Sequence, residues 1–288
     1  MAALSVLVNL LNIGANWLGI VVLGLGIAGS ALGTVAAQVL GLALALGLRA
    51  RGKELSPLGV LLEESWVANW LRIITLGLPL CLSFLGIALV ASMTMLALRY
   101  HAADYSRLIA AYGGVTRLLS LAFLPQLAIA LALQGVAGQN AGAGRDDRAL
   151  AALRLAMTAA FMWCSVVALT GLFAGEVVGG WFSSDPQVAL AIAVILRPML
   201  ALYVCAGPIL ALAMYLQALG QPGRTAALTL VKPWVLMPTL ILGLSAVHGV
   251  NGIWLAYPMA DGVVLLIAVI IGRDILLPAK TPGLEDVA

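Results

Sequence analysis

The stretch Gln134-Gly-Val-Ala-Gly-Gln-Asn-Ala-Gly-Ala-Gly-Arg145 lies between two long apolar runs and decides how the rest of the chain is interpreted. Its glycines permit the left-handed backbone conformations of a tight turn. The amide side chains can satisfy backbone groups that a turn leaves open, and two arginines follow closely. We therefore predict that a helix leaves a bilayer here, turns at the interface and begins a second span. The residues predicted to form the turn are Gly138, Gln139, Asn140, Gly142 and Gly144.

The composition indicates an integral membrane protein. Hydrophobic residues occupy 63% of the 288 positions and charged residues only 9%, whereas a soluble domain is about 25% charged. The apolar runs are continuous, unlike the alternating strands of a membrane β-barrel, so they are predicted to be helices. We predict an all-α membrane fold with eight transmembrane helices. The predicted spans are residues 2–23, 28–48, 72–98, 107–134, 150–173, 187–217, 225–246 and 252–272.

The distribution of basic residues predicts the orientation of these spans. With eight spans, eleven of the fifteen lysines and arginines, Lys232 among them, fall on one side of the membrane. Only Arg99 and Arg107 fall on the other side, while Arg117 and Arg197 lie within spans. Basic residues accumulate in cytoplasmic loops. A multi-pass protein with both termini in the cytoplasm is therefore predicted.

The residue composition changes at positions 49–71 and divides the chain into two parts. Residues 49–71 mix leucines with charged residues and tryptophans, which predicts an amphipathic linker at the cytoplasmic interface. Residues 1–48 and 72–272 on either side are predicted to be separate helical parts, and residues 273–288 a cytoplasmic tail. In the second span, small residues recur every four positions and predict close helix contact. They are Gly29, Gly33, Ala37 and Gly41.

Prolines lie inside several predicted spans, where each removes a backbone hydrogen bond and can bend its helix. Such bends are tolerated where neighbouring helices or a water-lined cavity satisfy the freed backbone groups. A bundle that merely anchors a protein has little use for them, so they favour transport. The prolines are Pro79, Pro125, Pro198, Pro208, Pro233, Pro238 and Pro258.

Three charged residues inside the spans are candidates for a functional site, because charges within a bilayer usually face a cavity or a partner. Asp261 lies about nine residues into the last span, where an apolar surrounding favours a carboxyl group that takes up a proton. A structural role, paired with an arginine or capping the backbone freed by Pro258, is the alternative. Arg117 and Arg197 are predicted to contact an anionic substrate group or to hold Asp261; the alternatives are snorkelling or structural pairing.

Flexible or aromatic side chains are the candidates for lining a substrate cavity, with ordinary packing as the alternative. They are Met93, Met95, Tyr203 and Met214. The chain shows no basic patch typical of nucleic-acid binding, and its three cysteines lie in separate spans without a metal-binding or redox spacing. No span holds clustered catalytic groups, so an intramembrane enzyme is not expected.

Five motifs carry a resemblance to multidrug and toxic compound extrusion (MATE) transporters. The stretch Gln134–Arg145 resembles the loop after the eighth helix of that family, and Leu216–Thr225 resembles the turn after the tenth. The segments Gly26–Val35, Gly77–Pro79 and Gly252–Pro258 are similar to the beginnings of the sixth, seventh and twelfth helices. Their order and spacing agree across essentially the whole chain.

The resemblance is closest to the DNA-damage-inducible-F-like branch. Other branches place acidic residues in the seventh and tenth helices, but Ser83–Ala88 and Val204–Pro208, which match those regions, contain none. The branch that this chain resembles carries its key aspartate in the first helix instead. No cation-binding residue of the family is therefore carried over to this sequence.

The resemblance implies two six-helix lobes around a central cavity. This chain would supply a complete C-terminal lobe and two helices of an incomplete N-terminal lobe, whose other four helices would be a missing partner. Such proteins exchange protons or sodium for drug-like small molecules by alternating access, without an organic cofactor, in the bacterial cytoplasmic membrane. The alternatives are a non-transporting fragment of such a transporter and a lipid-linked precursor flippase of the same superfamily.

The predicted topology places the loops at 99–107 and 145–148 on opposite sides of the membrane. Single cysteines at Ala103→Cys and Gly144→Cys, in a chain whose three native cysteines are replaced by serine, should react with a membrane-impermeant maleimide from opposite sides. Ala103→Cys is expected to label in intact cells, whereas Gly144→Cys should label only after permeabilisation. Labelling of both positions under the same condition would contradict the topology.

Overall fold

The computed structural model describes residues 2–51 and 70–276, and every regular element in these two ranges is helical. Seven helices are long and apolar enough to cross a membrane. An eighth span results when Pro186–Leu200 and Tyr203–Ala218, which meet at a 56° bend, are counted as one. The all-α membrane fold predicted from hydropathy is confirmed. Most of the predicted linker (52–69) and tail (277–288) lies outside the described residues.

The backbone divides into two compact units, Met1–Trp70 and Leu71–Ala288. In the first unit, α1 (Ala2–Trp17) continues into a π turn (Leu18–Val22), and α2 (Gly26–Arg51) runs back along it. This unit is therefore a helical hairpin.

The predicted small-residue ridge of α2 is the surface on which this hairpin packs. A Cβ atom added to Gly33 would lie 2.8 Å from the backbone carbon of Ala15. A Cβ atom added to Gly41 would lie 2.6 Å from Val8 Cγ2. Because no larger side chain fits at these positions, the spacing of four in the sequence brings the two helix backbones into close contact, as predicted.

The second unit holds longer helices and shorter ones. The long helices are α3 (Trp70–His101), α4 (Tyr105–Gly142), α5 (Asp146–Phe173) and α11 (Val250–Leu276). The shorter helices are α6 (Gly175–Phe182), α7 (Pro186–Leu200), α8 (Ala206–Ala218), α9 (Pro222–Thr229) and α10 (Met237–His248). A 3₁₀ turn (Tyr203–Cys205) joins α7 to α8, and a π turn (Val231–Leu236) precedes α10.

Stripes of small residues also bring the long helices of this unit together. The buried positions of α5 recur every three or four residues and are mostly alanine, so neighbouring helices approach closely along one face. They are Ala149, Leu153, Ala156, Ala160, Cys164, Ala168 and Gly171. Large aliphatic side chains such as Leu155 and Leu266 remain exposed, as expected for a surface that faces lipid.

The turn predicted at residues 134–145 is shorter than the sequence indicated. Helix α4 continues through Gly138, Gln139, Asn140 and Gly142, and only Gly144, with φ of 70°, adopts a left-handed conformation. The Asn140 side chain donates to the Val136 carbonyl within the helix (2.8 Å) and so does not cap the turn. Glycine in a helix interior costs only about 1 kcal/mol relative to alanine, so the glycines at 135, 138 and 142 do not by themselves end α4.

Two in-span prolines are each preceded, in the adjoining helical turn, by a carbonyl that accepts a hydrogen bond from a neighbouring helix. The carbonyls of Leu76 and Ala122 each lie three residues before a proline, Pro79 or Pro125, in the helical turn that the ring opens. The Leu76 carbonyl accepts a hydrogen bond from Gln217 Nε2 of α8 (2.9 Å). The Ala122 carbonyl accepts one from the indole N–H of Trp163 in α5 (2.8 Å). A side chain of a neighbouring helix thus reaches the disrupted turn in both cases.

The Trp163 contact generates a stability prediction. Trp163→Phe keeps the aromatic ring but removes the N–H donor, so it should lower the free energy of unfolding by about 0.5–2 kcal/mol. The measurement is a sodium dodecyl sulfate titration of the purified chain followed by circular dichroism.

The matched control for this prediction is Trp181→Phe. Trp181 is 74% exposed, so the same substitution there should change the free energy of unfolding by less than about 0.5 kcal/mol. Equal losses at the two tryptophans would contradict the role assigned to Trp163.

Candidate functional site

The site centres on an ion pair inside the second unit. Lys232 Nζ donates a hydrogen bond to Asp261 Oδ1, and the two side chains form a salt bridge. Asp261 lies eleven residues after Val250, the first residue of α11, or about 16 Å along the helix axis. The pair therefore lies near the middle of the span rather than at its end.

A π turn presents Lys232 to α11. Pro233 lacks a backbone N–H, so the Thr229 carbonyl four residues earlier loses its helical partner and the helix is interrupted at Val231–Leu236. The Ser83 hydroxyl lies 3.5 Å from that carbonyl, and Gly86 of the same helix leaves room for the proline ring. Helix α3 thus supports the interruption that carries Lys232.

The indole of Trp234 ties the same π turn to α3. Its N–H donates to the Leu82 carbonyl (2.9 Å). An apolar groove of about 270 Å³ flanks this contact. The groove is lined by Leu82, Leu230, Val231, Trp234 and Val235.

A chain of buried hydroxyls joins α3, α4 and α11 beside the ion pair. Thr94 donates to the Val90 carbonyl (2.9 Å) and lies 3.0 Å from the Tyr257 oxygen, which is 3.3 Å from the Tyr112 oxygen. Because each hydroxyl has one proton, Tyr257 must donate to Thr94, and Tyr112 must donate to Tyr257. Each of these three residues lies seven positions, or about 10 Å along the axis, from one end of its helix. Thr94 is counted from the last residue of α3, Tyr112 from the first residue of α4, and Tyr257 from the first residue of α11.

The bend between α7 and α8 lies next to the same region. Pro198 and Pro208 flank it, and the interrupted backbone there explains the 56° change of direction. Tyr203, inside the bend, donates through its hydroxyl to Gln126 Oε1 of α4 (3.3 Å). Gln126 is among the few polar side chains that are buried in the described part of the chain. The predicted span 187–217 is therefore two helical segments held to α4 by a polar contact.

The structure corrects the predicted partner of Asp261. Neither Arg117 nor Arg197 pairs with it, and in residues 70–276 neither arginine forms an ion pair at all. Both arginines are exposed on the second unit. By sequence, Lys232 is predicted to lie with the basic residues at span ends, but the π turn brings it to Asp261 inside the membrane span. Asp261 thus has a cationic partner, as one alternative predicted, but from a different residue.

The residues proposed to line a cavity are scattered. Met214 of α8 is fully buried, so it packs inside the second unit. Met93 is partly buried against a second core cluster, while Met95 is exposed. Tyr203 makes the polar contact with Gln126 described above. The methionine pattern therefore does not mark a common surface.

Sequence reasoning missed the buried polar residues that join helices of the second unit. Thr94, Tyr112, Gln126 and Tyr257 are all buried and all engaged in hydrogen bonds between helices. Their signal was available, because each is a polar residue deep inside an apolar span, where it needs a partner. Lys232 gave a signal as well, since it directly precedes Pro233 within a predicted span.

Comparison with known proteins assigns the chain to a family. The MatE family model matches residues 79–240, more than half of the chain. A FAD transporter of Shewanella oneidensis is 28% identical over 214 residues, which cover 74% of this chain and 46% of that protein. The chain therefore spans about half the length of this curated relative.

Solved structures share the fold. An outward-facing multidrug resistance MATE family transporter of the MOP superfamily superposes with a TM-score of 0.83 at 21% identity, over 97% of this chain and 62% of that chain. A MOP superfamily transporter from Pyrococcus furiosus, described as having a binding pocket of reverse polarity, gives 0.81 at 22% identity, over 94% and 61%. The resemblance seen in the five sequence motifs is confirmed by the matched family model, and the chain belongs to the MatE family.

Proposed function

We propose that this chain is part of an ion-coupled antiporter that exports small organic compounds by alternating access. The observation that carries the proposal is the Lys232–Asp261 ion pair inside a membrane span. Charges at this depth are rare and usually serve ion or substrate pathways. The family and the FAD transporter to which the chain is similar support transport as the class of activity.

In this proposal Asp261 is the group that binds the coupling ion. When it is ionised, Asp261 attracts Lys232 and ties α11 to the π turn Val231–Leu236. When a proton or a sodium ion neutralises the carboxylate, the attraction ends and Lys232 is released. A group that is exposed to one side of the membrane in only one conformation can then link ion binding to the direction in which the cavity opens.

The strength of the Lys232–Asp261 ion pair limits how far breaking it can shift the balance between two conformations. Breaking a buried ion pair costs about 3–5 kcal/mol, and a surface pair contributes about 0–1 kcal/mol. The Lys232 and Asp261 side chains keep 34% and 19% of their accessible surface, so screening places this pair between those limits. Reversing a population from 1:99 to 99:1 needs about 5.5 kcal/mol. Cargo contacts must therefore contribute to the switch together with the ion.

The setting proposed for this activity is the bacterial cytoplasmic membrane, with both termini in the cytoplasm and the α3–α4 loop outside. The basic residues of the turns at 145–148 and at Arg224 support this orientation. A first lobe that completes the cavity is the proposed partner, and FAD is a cargo to test first because of the relative that transports it.

The test is ion-driven transport by the Asp261→Asn variant. Inverted membrane vesicles that contain the chain should accumulate FAD when the proton or sodium concentration is higher inside the vesicle than outside, because antiport then exchanges the outflowing ion for FAD; each ion is supplied separately. Asp261→Asn removes the titratable oxygen while keeping the shape of the side chain, so gradient-driven accumulation should fall to the level of empty vesicles. The amount of chain in the membrane should not change.

The matched control is Asp274→Asn, the same substitution on the same helix at an exposed position near its end. It should leave accumulation unchanged. Full accumulation by the Asp261→Asn variant would reject the coupling role. If the wild-type chain does not accumulate FAD under either gradient, the antiporter proposal fails for this chain, and the non-transporting alternative is favoured.

A further inference from the structure

Helix α4 presents a polar stripe on a side that the rest of the second unit leaves open. Gly113, Thr116, Arg117 and Ser120 follow one another at spacings of three and four, so they share one side of the helix. Arg117 and Ser120 are exposed, and Thr116 is half-buried. A Cβ atom added to Gly113 would meet no atom within 4 Å. In the described part of the second unit, no helix therefore covers α4 at this point.

The hydrogen bonds of this stripe stay within α4. The Thr116 hydroxyl donates to the Gly113 carbonyl (3.0 Å), and the Ser120 hydroxyl donates to the Thr116 carbonyl (2.7 Å). Arg117 forms neither an ion pair nor a hydrogen bond with any residue of the ranges 2–51 and 70–276. Polar groups that hold membrane helices together bond across to a neighbouring helix. This stripe therefore does not serve packing within the second unit.

Arg117 lies deep in its span. Arg107, at the outer end of the same helix, pairs with Asp104, and Arg117 follows ten positions later, or about 15 Å along the axis. The hydrocarbon core of a bilayer is about 30 Å thick, so this depth is near its middle. Snorkelling to the interface suits a basic residue near a helix end rather than one at this depth. A charge placed here faces water or a polar ligand.

The neighbouring helix α7 carries a second arginine at the same depth. The two helices run side by side in the same direction, since Arg107 Nη1 donates to Gln187 Oε1 (3.4 Å) and Gly114 lies against Ile192. Arg197 follows Gln187 by ten positions, as Arg117 follows Arg107. Neither α4 nor α7 contains an aspartate or a glutamate. The potential at this level of the two helices is therefore positive, which attracts anions and disfavours cations.

The same side of α4 becomes apolar toward the cytoplasmic end. Leu121 and Leu124 follow Arg117 at spacings of four and seven and are 60% and 59% exposed. A ligand on this side would thus meet a guanidinium first and an aliphatic surface next to it. This arrangement suits an organic anion with an apolar or aromatic part.

We propose that this side of α4 binds organic anions, and that Arg117 contacts a phosphate or carboxylate oxygen of the ligand. The inference rests on the proposed function, because it names the class of cargo. A guanidinium holds such a group through two parallel charge-assisted hydrogen bonds. Cargo and coupling ion bind to different groups, Arg117 on α4 and Asp261 on α11. Alternation between two conformations then carries them in opposite directions.

The experiment compares the binding of FMN and riboflavin, which share one ring system and differ by a phosphate, to the purified full chain in a neutral detergent. Flavin fluorescence measures both affinities. Arg117→Gln should weaken FMN binding about tenfold, because a charge-assisted contact is lost, and should leave riboflavin unchanged. Arg117→Lys keeps the charge without the planar fork and should weaken FMN about threefold.

Two arginines supply the controls. Arg107→Gln is the same substitution on the same helix, but Arg107 already has Asp104 as its partner, so FMN binding should stay within about twofold. Arg197→Gln should weaken FMN less than Arg117→Gln does, because Arg197 adds to the potential from the neighbouring helix. The proposal is overturned if Arg117→Gln binds FMN as the wild type does, if riboflavin weakens equally, or if the Arg197→Gln loss is the larger one.

A variant that gains affinity guards against misfolding as the cause of a loss. Ser120→Arg places a second guanidinium one turn from Arg117 at an exposed position and should tighten FMN binding about threefold. Gly135→Arg adds the same charge to α4 at another exposed position where a Cβ atom meets nothing within 4 Å, and it should have no effect. Absence of a gain at Ser120, or an equal gain at Gly135, would contradict the proposal.

The phosphate can come from a soluble molecule or from a lipid headgroup, and two lipids with the same acyl chains separate these sources. Displacement of FMN by phosphatidic acid, but not by diacylglycerol, supports the anion site with a headgroup as its ligand. FMN binding that resists both lipids supports the same site with a soluble ligand. Equal displacement by both lipids shows that apolar contacts, and not Arg117, hold the ligand, and overturns the proposal.

Binding at equilibrium needs no ion gradient, so this inference and the proposed function fail separately. Absence of gradient-driven accumulation together with the expected FMN responses would reject ion-coupled transport alone. Gradient-driven accumulation of FAD together with FMN binding that ignores Arg117 would reject the anion site alone.

Discussion

Lipid offers no hydrogen-bond partner to a backbone N–H or C=O, and this constraint organises the second unit. A helix satisfies its own backbone, but each in-span proline leaves a carbonyl without its helical donor. Side chains of neighbouring helices also donate hydrogen bonds to carbonyls in the turns next to two of these prolines: Gln217 in the turn before Pro79, and Trp163 in the turn before Pro125. Both contacts join separate helices. The prolines therefore fix which helices must be neighbours as well as where they bend.

The same constraint explains why the charged site lies where it does. Pro233 interrupts the helix before α10, and the resulting π turn carries Lys232 toward Asp261. A regular helix would project this lysine along a direction set by its neighbours on the same face. The π turn changes the direction of the Lys232 side chain, and the ion pair with Asp261 stabilises this irregular backbone. Backbone interruption and buried charge are thus two parts of one arrangement.

The sequence predicted the features that depend on length and composition. Apolar runs of about 20 residues indicate spans, and a spacing of four small residues in α2 indicated a contact that the structure contains. Faces within the second unit were harder to predict. In a soluble helix, polar residues mark the outside and apolar residues the core, but a membrane helix is apolar on both sides. Met214 therefore looked equally suited to a cavity and to the core in which it lies.

Contacts between distant residues were also beyond local patterns. The partner of Asp261 depends on a π turn 29 positions earlier in the chain, and no spacing rule connects the two. The glycines at 138 and 142 illustrate a different limit, because glycine is found in turns but is also tolerated inside a helix. Only Gly144 needed its left-handed freedom. A polar residue inside an apolar span was the more informative signal, since burial obliges it to find a partner.

The hydroxyl chain indicates which part of the site can move in the proposed cycle. Tyr257 donates to Thr94 and accepts from Tyr112, so α11 is held to α3 and α4 one helical turn from Asp261. All three hydroxyls are buried, and separating them would leave polar groups without partners in an apolar core. The π turn at Val231–Leu236 is itself tied to α3 through Trp234, but the Lys232 side chain that it carries is only half-buried. In the proposed cycle, loss of the ion pair would therefore leave α11 in place, and the Lys232 side chain would be the part that responds.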